Sequence, residues 1–162
     1  MTDTLPHIHQ ILESSGLAFE IMACDDSLTD TQAFCAHYGA SLENSVNAIV
    51  LKSKRVPPEY AVCMVPALAR LDVNGTARKK FGGGKVSFAS SDETVAQTGM
   101  EIGGVTPLGL PSGIPVWVDS SIMTFDFVIL GGGNRTSKIK VVPEILLNTP
   151  GLEVVTDLAK PA

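Results

Sequence analysis

Cysteine and histidine are scarce in this sequence, and neither occurs at a spacing typical of disulfides or metal sites. The 162 residues include 3 cysteines and 3 histidines. An odd number of widely spaced cysteines without a C-x-x-C pair argues against a disulfide framework and against a zinc knuckle. The histidines lack the helical H-E-x-x-H spacing. We therefore predict free thiols, no bound metal and no cofactor.

Long hydrophobic runs and an excess of basic residues are also missing. No stretch of about 18 apolar residues occurs, and residues 1–4 carry no hydrophobic signal core. This predicts a soluble, cytoplasmic protein with no membrane partner. The 17 Asp and Glu outnumber the 12 Lys and Arg, which gives a net charge of −5. A broad footprint for DNA is not expected, and any nucleic-acid contact must be local.

The composition and the early helix and strand signals indicate a single domain. With 44% hydrophobic residues, a chain of 162 residues is long enough to bury one core.

Thr4 as N-cap and Pro6 in the first turn begin a predicted helix. A strand at 19–23 follows, and the capping-box pattern at 29–32 predicts a second helix that Gly39 ends.

The rest of the chain alternates between strand and helix patterns. Residues 46–51 and 60–65 flank a charged turn that contains prolines, which predicts a hairpin. The later predicted elements are a helix at 72–81, a strand at 86–89, a helix capped by Ser91 and ended by Gly99, strands at 114–118, 125–130 and 138–142, and a short helix at 143–147. The predicted fold class is mixed α/β (α+β), with a single mixed, largely antiparallel sheet surrounded by helices in one domain, 1–162.

Two glycine-rich segments are the most distinctive features. The first glycine loop, residues 98–109, reads TGMEIGGVTPLG, and the second glycine loop, residues 131–135, reads GGGNR. Glycine permits positive φ and proline fixes φ, so such loops can present their own amides and carbonyls to a ligand. Tight turns also collect both residue types, and a purely structural role is the alternative interpretation.

Together the two loops resemble the YbaK/prolyl-tRNA-synthetase-associated domain, a family that hydrolyses amino acids wrongly esterified to tRNA. The matching pieces are Thr98-Gly99, the string from Gly103 to Gly109, and Gly132-Gly133 with Arg135. The order of the other elements agrees along nearly the whole chain. The resemblance implies the family's fold and an aminoacyl-tRNA deacylase. It implies the acceptor end of aminoacyl-tRNA as a partner and an aminoacyl-tRNA synthetase as a further candidate partner.

The resemblance also implies which residues form the site. The first glycine loop would line the pocket for the aminoacyl group and the terminal adenosine, with Gly103, Gly104 and Pro107 as its catalytic residues. Its backbone donors could stabilise the oxyanion that forms during attack on an ester. A bulky residue at Gly104 is expected to abolish turnover and to leave the fold mostly intact. The predicted substrate-binding residues are Cys24, Val105, Thr106, Gly109, Gly131, Gly132, Gly133 and Arg135.

Two of these residues have plain structural alternatives. Arg135 offers a planar donor fork that suits phosphate, and a surface salt bridge is an equally good interpretation. Cys24 ends the first predicted strand, where it would either tune the size of the pocket or act as a small buried hydrophobe.

One position departs from the family pattern. Editing members carry a lysine about two residues into the strand after Ser45, where this sequence has Asn47. Asparagine donates and accepts hydrogen bonds but has no charge. Lys52 lies an odd number of residues further on and would point to the opposite face of a regular strand. Lys138 and Lys140 are the other candidate cations, and Asn47 is kept as the predicted catalytic position.

The sequence offers no conventional nucleophile, because it lacks the G-x-S-x-G elbow. Our leading interpretation is a deacylase that holds the ester and a water against backbone donors, acting on a small amino acid mischarged onto tRNA. The absence of the lysine leaves open a binding module with weak or no catalysis. The low net basicity leaves open a hydrolase of another small acyl ester.

Overall fold

The computed structural model describes residues 4–161. Residues 1–3 lie outside this range. They belong to the segment 1–4, for which no hydrophobic signal core is predicted. The helices within it are α1 (Pro6–Ser14), α2 (Thr31–Tyr38), α3 (Arg78–Lys80) and α4 (Ser91–Thr98). The strands are β1 (Phe19–Ala23), β2 (Val46–Ser53), β3 (Tyr60–Pro66), β4 (Ala69–Leu71), β5 (Val86–Phe88), β6 (Val116–Asp119), β7 (Val128–Gly131), β8 (Ser137–Val141), β9 (Leu152–Val155) and β10 (Ala159–Pro161). Short 3₁₀ turns occur at Asp26–Leu28, Leu42–Asn44, Ser120–Thr124 and Pro143–Asn148.

The predicted helices around the hairpin are confirmed, and their ends have clear local causes. The capping box predicted at 29–32 is wrong, because the cap of α2 is Asp30, whose side chain accepts a hydrogen bond from the Ala33 amide at 3.2 Å. Gly39 then ends that helix in the left-handed region with φ 69°. The α4 cap is Ser90 rather than the predicted Ser91, because Ser90 forms a reciprocal capping box with Glu93.

Two further predictions of helix starts are wrong. Thr4 does not cap α1, because its hydroxyl donates to the carbonyl of Gly132 and Leu5 occupies the cap position. The helix predicted at 72–81 is a wide π-type turn at Val73–Ala77 followed by α3. The carboxylate of Asp72 accepts from the amides of Gly75 and Thr76 at 3.1 and 3.0 Å, which holds this turn.

The mixed α/β class is confirmed, but the single predicted sheet is wrong. A five-stranded sheet has the order β5-β2-β3-β6-β9, in which β6 pairs in parallel with β3 and with β9. A separate three-stranded antiparallel sheet has the order β1-β8-β7, and β4 pairs with β10. The first two sheets meet at one parallel bridge between Ser45 and Ile129. The chain divides its strands because β1 pairs with β8, far along the sequence, rather than with β2.

Alternation along the central strands divides the core between the two faces of the five-stranded sheet. One face packs Val50, Val62 and Val118 against α1 and the three-stranded sheet. The other packs Leu51 and Trp117 with their neighbours, and the ring of Trp117 meets that of Phe81 edge to face at 4.9 Å. This double-faced burial fixes the register of β2, which carries Asn47.

A candidate active-site pocket at the edge of β2

A pocket of about 540 Å³, which we call the β2 pocket, lies beside β2. This volume is within the range of small-molecule sites. Segments from both large sheets, from the start of α2 and from the first glycine loop line it. Its lining residues are Thr29, Asp30, Thr31, Gln32, Leu42, Val46, Asn47, Ala48, Ile49, Val50, Ala67, Phe88, Ala89, Thr94, Ile102, Gly103, Val105, Gly131 and Lys138.

The floor of the β2 pocket is a sheet edge that no strand covers. The partner strand β5 pairs with β2 only from Leu51 to Ser53, and the Ala89 amide adds one bond to the Val50 carbonyl at 2.9 Å. Between Ser45, which bridges Ile129 of β7, and Val50, no strand within the described range pairs with this edge of β2. Backbone groups of β2 are therefore available to a ligand, beside the side chain of Asn47.

Asn47 is held in one orientation by the first residue of α2. The hydroxyl of Thr31 donates to Oδ1 of Asn47 at 2.7 Å. This bond uses the acceptor side of the amide, so the amino group, with two donors, is left for the pocket. The register of β2 is regular from Val46 to Lys52, and Asn47 and Lys52 consequently lie on opposite faces, as the sequence predicts.

Lys52 is engaged away from the pocket. Its ammonium forms an ion pair with Glu93, which also accepts from the hydroxyl of Tyr60 at 3.0 Å. The bond from Lys52 holds the pKa of Glu93 at about 2, and the same bond raises the pKa of Lys52. Lys52 belongs to β2, and its ion pair fastens α4 to the hairpin.

The first glycine loop presents a bent backbone to the pocket. Gly103 has φ +90°, a conformation that suits glycine. Its carbonyl accepts from the hydroxyl of Thr29 at 2.9 Å. Among residues 4–161, the amides of Gly103 and Val105 donate no hydrogen bond, whereas the Gly104 amide donates to Glu101 at 2.9 Å. Two backbone donors of this loop thus remain for a ligand.

The two glycine loops pack backbone against backbone. The Gly133 amide donates to the Gly104 carbonyl at 2.6 Å, and the Glu101 amide donates to the Gly133 carbonyl at 3.1 Å. A Cβ on Gly104 would lie 2.1 Å from the Asn134 carbonyl oxygen, and one on Gly131 would lie 2.6 Å from that of Val105. Only glycine permits this approach. This contact argues against the expectation that a bulky residue at Gly104 spares the fold.

Arg135 fastens the loops from outside. Its Nε donates to the Asp26 carboxylate at 2.5 Å, and its two terminal nitrogens donate to the carbonyls of Ile102 and Asp26 at 2.9 and 2.8 Å. This bracing uses the planar fork and includes the surface salt bridge that the sequence left as the alternative. Arg135 does not line the β2 pocket.

Lys138 is the basic side chain that does enter the β2 pocket. It is 7% exposed, and its ammonium donates to the Thr29 carbonyl at 2.8 Å and lies 3.5 Å from the Gly103 carbonyl. The ammonium also lies 5.6 Å from the ring centre of Phe34. Burial lowers the pKa of Lys138 from its usual value. From the sequence alone, Lys138 is only one of several candidate cations for the site.

The predicted site residues fall into separate groups. The β2 pocket brings together Asn47, Gly103, Val105 and Gly131. The residues that do not line it are Cys24, Gly104, Thr106, Pro107, Gly109, Gly132, Gly133 and Arg135. Pro107 and Gly109 line a different cavity of about 470 Å³. Cys24 and Thr106 are buried, at 4% and 0% exposure, and Cys24 packs with Phe34.

Two further features concern metals and membranes. Among residues 4–161, no three His, Cys, Asp or Glu side chains come close enough to hold a metal ion. In the same part of the chain, no helix has the length and apolar character to cross a membrane.

Comparison with known proteins decides the family. The family described as an aminoacyl-tRNA editing domain matches residues 25–149. The chain belongs to that family. The editing-domain match contains β2, both glycine loops and β8, and so contains the complete lining of the β2 pocket. The resemblance predicted from the two loops is thereby confirmed.

Individual relatives of this editing domain are distant. YwhH of Bacillus subtilis (strain 168), an uncharacterized protein, is 37% identical over 92 residues, covering 57% of each chain. EbsC of Enterococcus faecalis (strain ATCC 700802 / V583), whose proposed activity is Cys-tRNA(Pro)/Cys-tRNA(Cys) deacylation, is 28% identical over 87 residues, covering 54% of this chain and 52% of EbsC. The chain thus matches little more than half the length of these relatives.

A solved structure shares the fold of the editing domain. It is described as a proposed trans-editing enzyme for prolyl-tRNA synthetase and superposes with a TM-score of 0.76 at 24% identity. The superposition covers 94% of this chain and 96% of the other. The overall fold of this chain is therefore a known one.

Proposed function

We propose that this protein is a trans-editing aminoacyl-tRNA deacylase, which hydrolyses the ester between a mischarged small amino acid and tRNA. The observation that carries the proposal is the convergence of free donors in the β2 pocket. Gly103, Val105 and Asn47 line one cavity, and within residues 4–161 the amides of the first two and the amino group of the third donate no hydrogen bond. Family membership supports ester chemistry at this site.

In the proposed reaction, a water oxygen attacks the ester carbonyl carbon, and the bond from that carbon to the ribose oxygen breaks. The free amides of Gly103 and Val105 would stabilise the oxyanion, because they are fixed donors in a sheltered site. The proton lost by the water passes to the leaving ribose oxygen, and the vicinal ribose hydroxyl is well placed to relay it. The products are a free amino acid and an uncharged tRNA.

A reaction without a covalent intermediate is supported by the state of the thiols. Cys24 and Cys63 are buried at 4% and 0% exposure. Burial raises the pKa of the Cys24 thiol and raises that of Cys63 to about 12. Because the thiolate is the nucleophile, neither cysteine is suited to attack an ester. Direct attack by water, oriented by the Asn47 amino group, needs no such residue.

A tRNA substrate is favoured over a small ester by the placement of basic charge. Six of the 12 Lys and Arg lie in two adjoining segments, and we call them the basic surface. Its residues are Lys54, Arg55, Arg78, Lys79, Lys80 and Lys85, of which Arg55 pairs with Glu59 and Lys80 with Glu153. The segments touch where the Lys54 amide donates to the Lys85 carbonyl at 3.0 Å. The strand β5 runs from there to Phe88 in the β2 pocket, a span of roughly 10 Å at the usual strand rise.

The basic surface fits the local contact that an acidic protein needs. Phosphate backbones are held by clustered cations, and the net charge of −5 is compatible with binding confined to one patch. An acceptor stem could lie on this patch while its aminoacylated end enters the β2 pocket. An aminoacyl-tRNA synthetase is the candidate protein partner, in keeping with the description of the solved structure.

One observation favours a second function. Asn47 carries no charge at the position where the family resemblance predicts a lysine. The loss of this charge is expected in a module that binds an aminoacyl or nucleotide ligand without efficient hydrolysis. Such a module would bind aminoacyl-tRNA and release no amino acid. A small-ester hydrolase, the third alternative, would ignore competing uncharged tRNA.

The proposal is tested by single-turnover deacylation of tRNAs charged with Ala, Ser, Cys, Thr and Pro, with enzyme in excess. Release of at least one of these amino acids well above the uncatalysed rate, inhibited by uncharged tRNA, is the expected result. Binding without release would establish the module instead. Release that is insensitive to uncharged tRNA would point to the small-ester hydrolase.

A further inference from the structure

We propose that Lys138 is a catalytic residue that contacts the substrate in the β2 pocket, where its ammonium stabilises the negative charge that develops on the ester carbonyl oxygen. This inference rests on the proposed function. It assigns the positive charge of the site to β8, across the pocket from the strand on which the family resemblance predicts it.

The first argument is the incomplete pairing of a buried charge. The described ion pairs do not include Lys138, although the residue is only 7% exposed. An ammonium has three donors, and here one meets the Thr29 carbonyl at 2.8 Å and a second lies at 3.5 Å from the Gly103 carbonyl, beyond the usual hydrogen-bond length. A buried cation is costly unless it is paired. A substrate oxygen that becomes negative would supply the missing partner.

The second argument is the position of Lys138 relative to the other polar groups. Lys138 holds the carbonyl of Thr29, and the hydroxyl of Thr31 holds Asn47. Residues two apart have Cα atoms no more than roughly 7 Å from each other. The ammonium and the Asn47 amide are therefore held by the two ends of one short segment, Thr29 to Thr31, which itself lines the pocket.

The third argument is that the neighbouring cations are used elsewhere. Lys52 pairs with Glu93, and Arg135 braces the loops through Asp26. Lys140 is exposed, with its ammonium 4.4 Å from the ring centre of Phe127. Of the Lys and Arg residues within 4–161, Lys138 is the one that lines the β2 pocket.

The experiment moves the positive charge of the pocket from position 138 to position 47. The effect is measured by single-turnover deacylation of the best substrate of the native protein. The four variants are Lys138→Met, Asn47→Lys, the double variant Asn47→Lys/Lys138→Met, and Lys140→Met as the matched control on the same strand. Lys138→Met is expected to lower the rate constant at saturating enzyme by roughly 100-fold, as loss of an oxyanion donor does. Its half-saturating enzyme concentration should change little, and Lys140→Met should match the native protein.

The double variant separates catalysis from structure. If Lys138 only ties Thr29 to the glycine loop, a lysine at position 47 cannot repair that tie, and the double variant stays as slow as Lys138→Met. If the charge itself acts on the substrate, the double variant should recover at least tenfold. Failure to recover, or an effect confined to the half-saturating concentration, overturns the inference.

Two further outcomes have a fixed interpretation. A native protein that releases none of the amino acids refutes the proposed function and this inference with it, whereas an active native protein with an equally active Lys138→Met variant refutes the inference alone. Circular dichroism and thermal unfolding report whether Lys138→Met is folded. If it is not, Lys138→Arg decides, because a guanidinium keeps the charge and should retain most of the rate while the neutral Lys138→Gln loses it.

Discussion

The contact between the two glycine loops predicts the outcome of replacing Gly104 by alanine. Alanine would place its Cβ 2.1 Å from the carbonyl oxygen of Asn134 and 2.6 Å from the carbonyl carbon. Both are backbone atoms, so no flexible side chain can move aside. Overpacking of this kind costs about 1–3 kcal/mol in the free energy of unfolding. At roughly 2–4 °C per kcal/mol for a chain of this size, the unfolding midpoint should fall by about 2–12 °C.

Catalysis should suffer more than stability in the same variant. The Gly133 amide reaches the Gly104 carbonyl at 2.6 Å, and separating the loops would displace the neighbouring amides of Gly103 and Val105. A displacement of about 1 Å costs on the order of 100-fold in rate when donors must meet a transition state. Single-turnover deacylation and thermal unfolding measure the two effects in parallel.

A control of comparable instability makes the test specific. Gly16 has φ +73° and nothing within 4 Å of the position of an added Cβ, so Gly16→Ala costs only the left-handed backbone strain, about 1–2 kcal/mol. It lies outside the lining of the β2 pocket and should keep its deacylation rate. The reasoning is refuted if Gly104→Ala unfolds within about 0.5 kcal/mol of the native protein, or if both variants deacylate equally fast.

Three further predictions concern charge. The pKa of Glu93 is lowered from 4.5 to about 2, chiefly by Lys52. The contribution of ionised Glu93 to the free energy of unfolding is therefore complete above about pH 4.5 and is lost as the pH falls toward 2. Glu93→Gln should flatten the pH dependence of that free energy across this window, as unfolding in denaturant would measure. Lys79→Glu and Lys85→Glu on the basic surface should weaken tRNA binding and each reduce the slope of log affinity against log salt by about 1, as fluorescence anisotropy between 50 and 200 mM salt would show; equal slopes would exclude a phosphate contact. Burial lowers the pKa of Lys138, so the deacylation rate, corrected for uncatalysed hydrolysis, should fall as alkaline pH neutralises the ammonium, and Lys138→Arg should abolish this fall.

Local chemistry explains why most elements could be predicted from the sequence. The left-handed glycines that end α2 and α4, Gly39 and Gly99, are recognisable without any structure. The alternation of β2 correctly places Asn47 and Lys52 on opposite faces. The two glycine loops could be paired through the family resemblance, although their mutual hydrogen bonds depend on the folded chain.

The parts that could not be predicted depend on contacts between distant segments. Thr4 has the chemistry of a helix cap, but the carbonyl of Gly132 competes for its hydroxyl across the fold. The division into separate sheets follows from the pairing of β1 with β8, which no local signal encodes. Lys138 alternates with neighbours on β8 in a pattern that fits either face, and its burial becomes evident only when Thr29 and Gly103 close around it.

The incomplete cover of β2 has a consequence for how copies of this protein can associate. A bare sheet edge is a template on which a strand from another molecule can pair, and proteins normally block such edges. Here the edge before Val50 is also the floor of the β2 pocket. Any dimer or aggregate that grew by adding a strand at this edge would occupy the pocket, so it would lose access to ligand in the same step. A ligand that bound these backbone groups would therefore compete with self-association at the same edge.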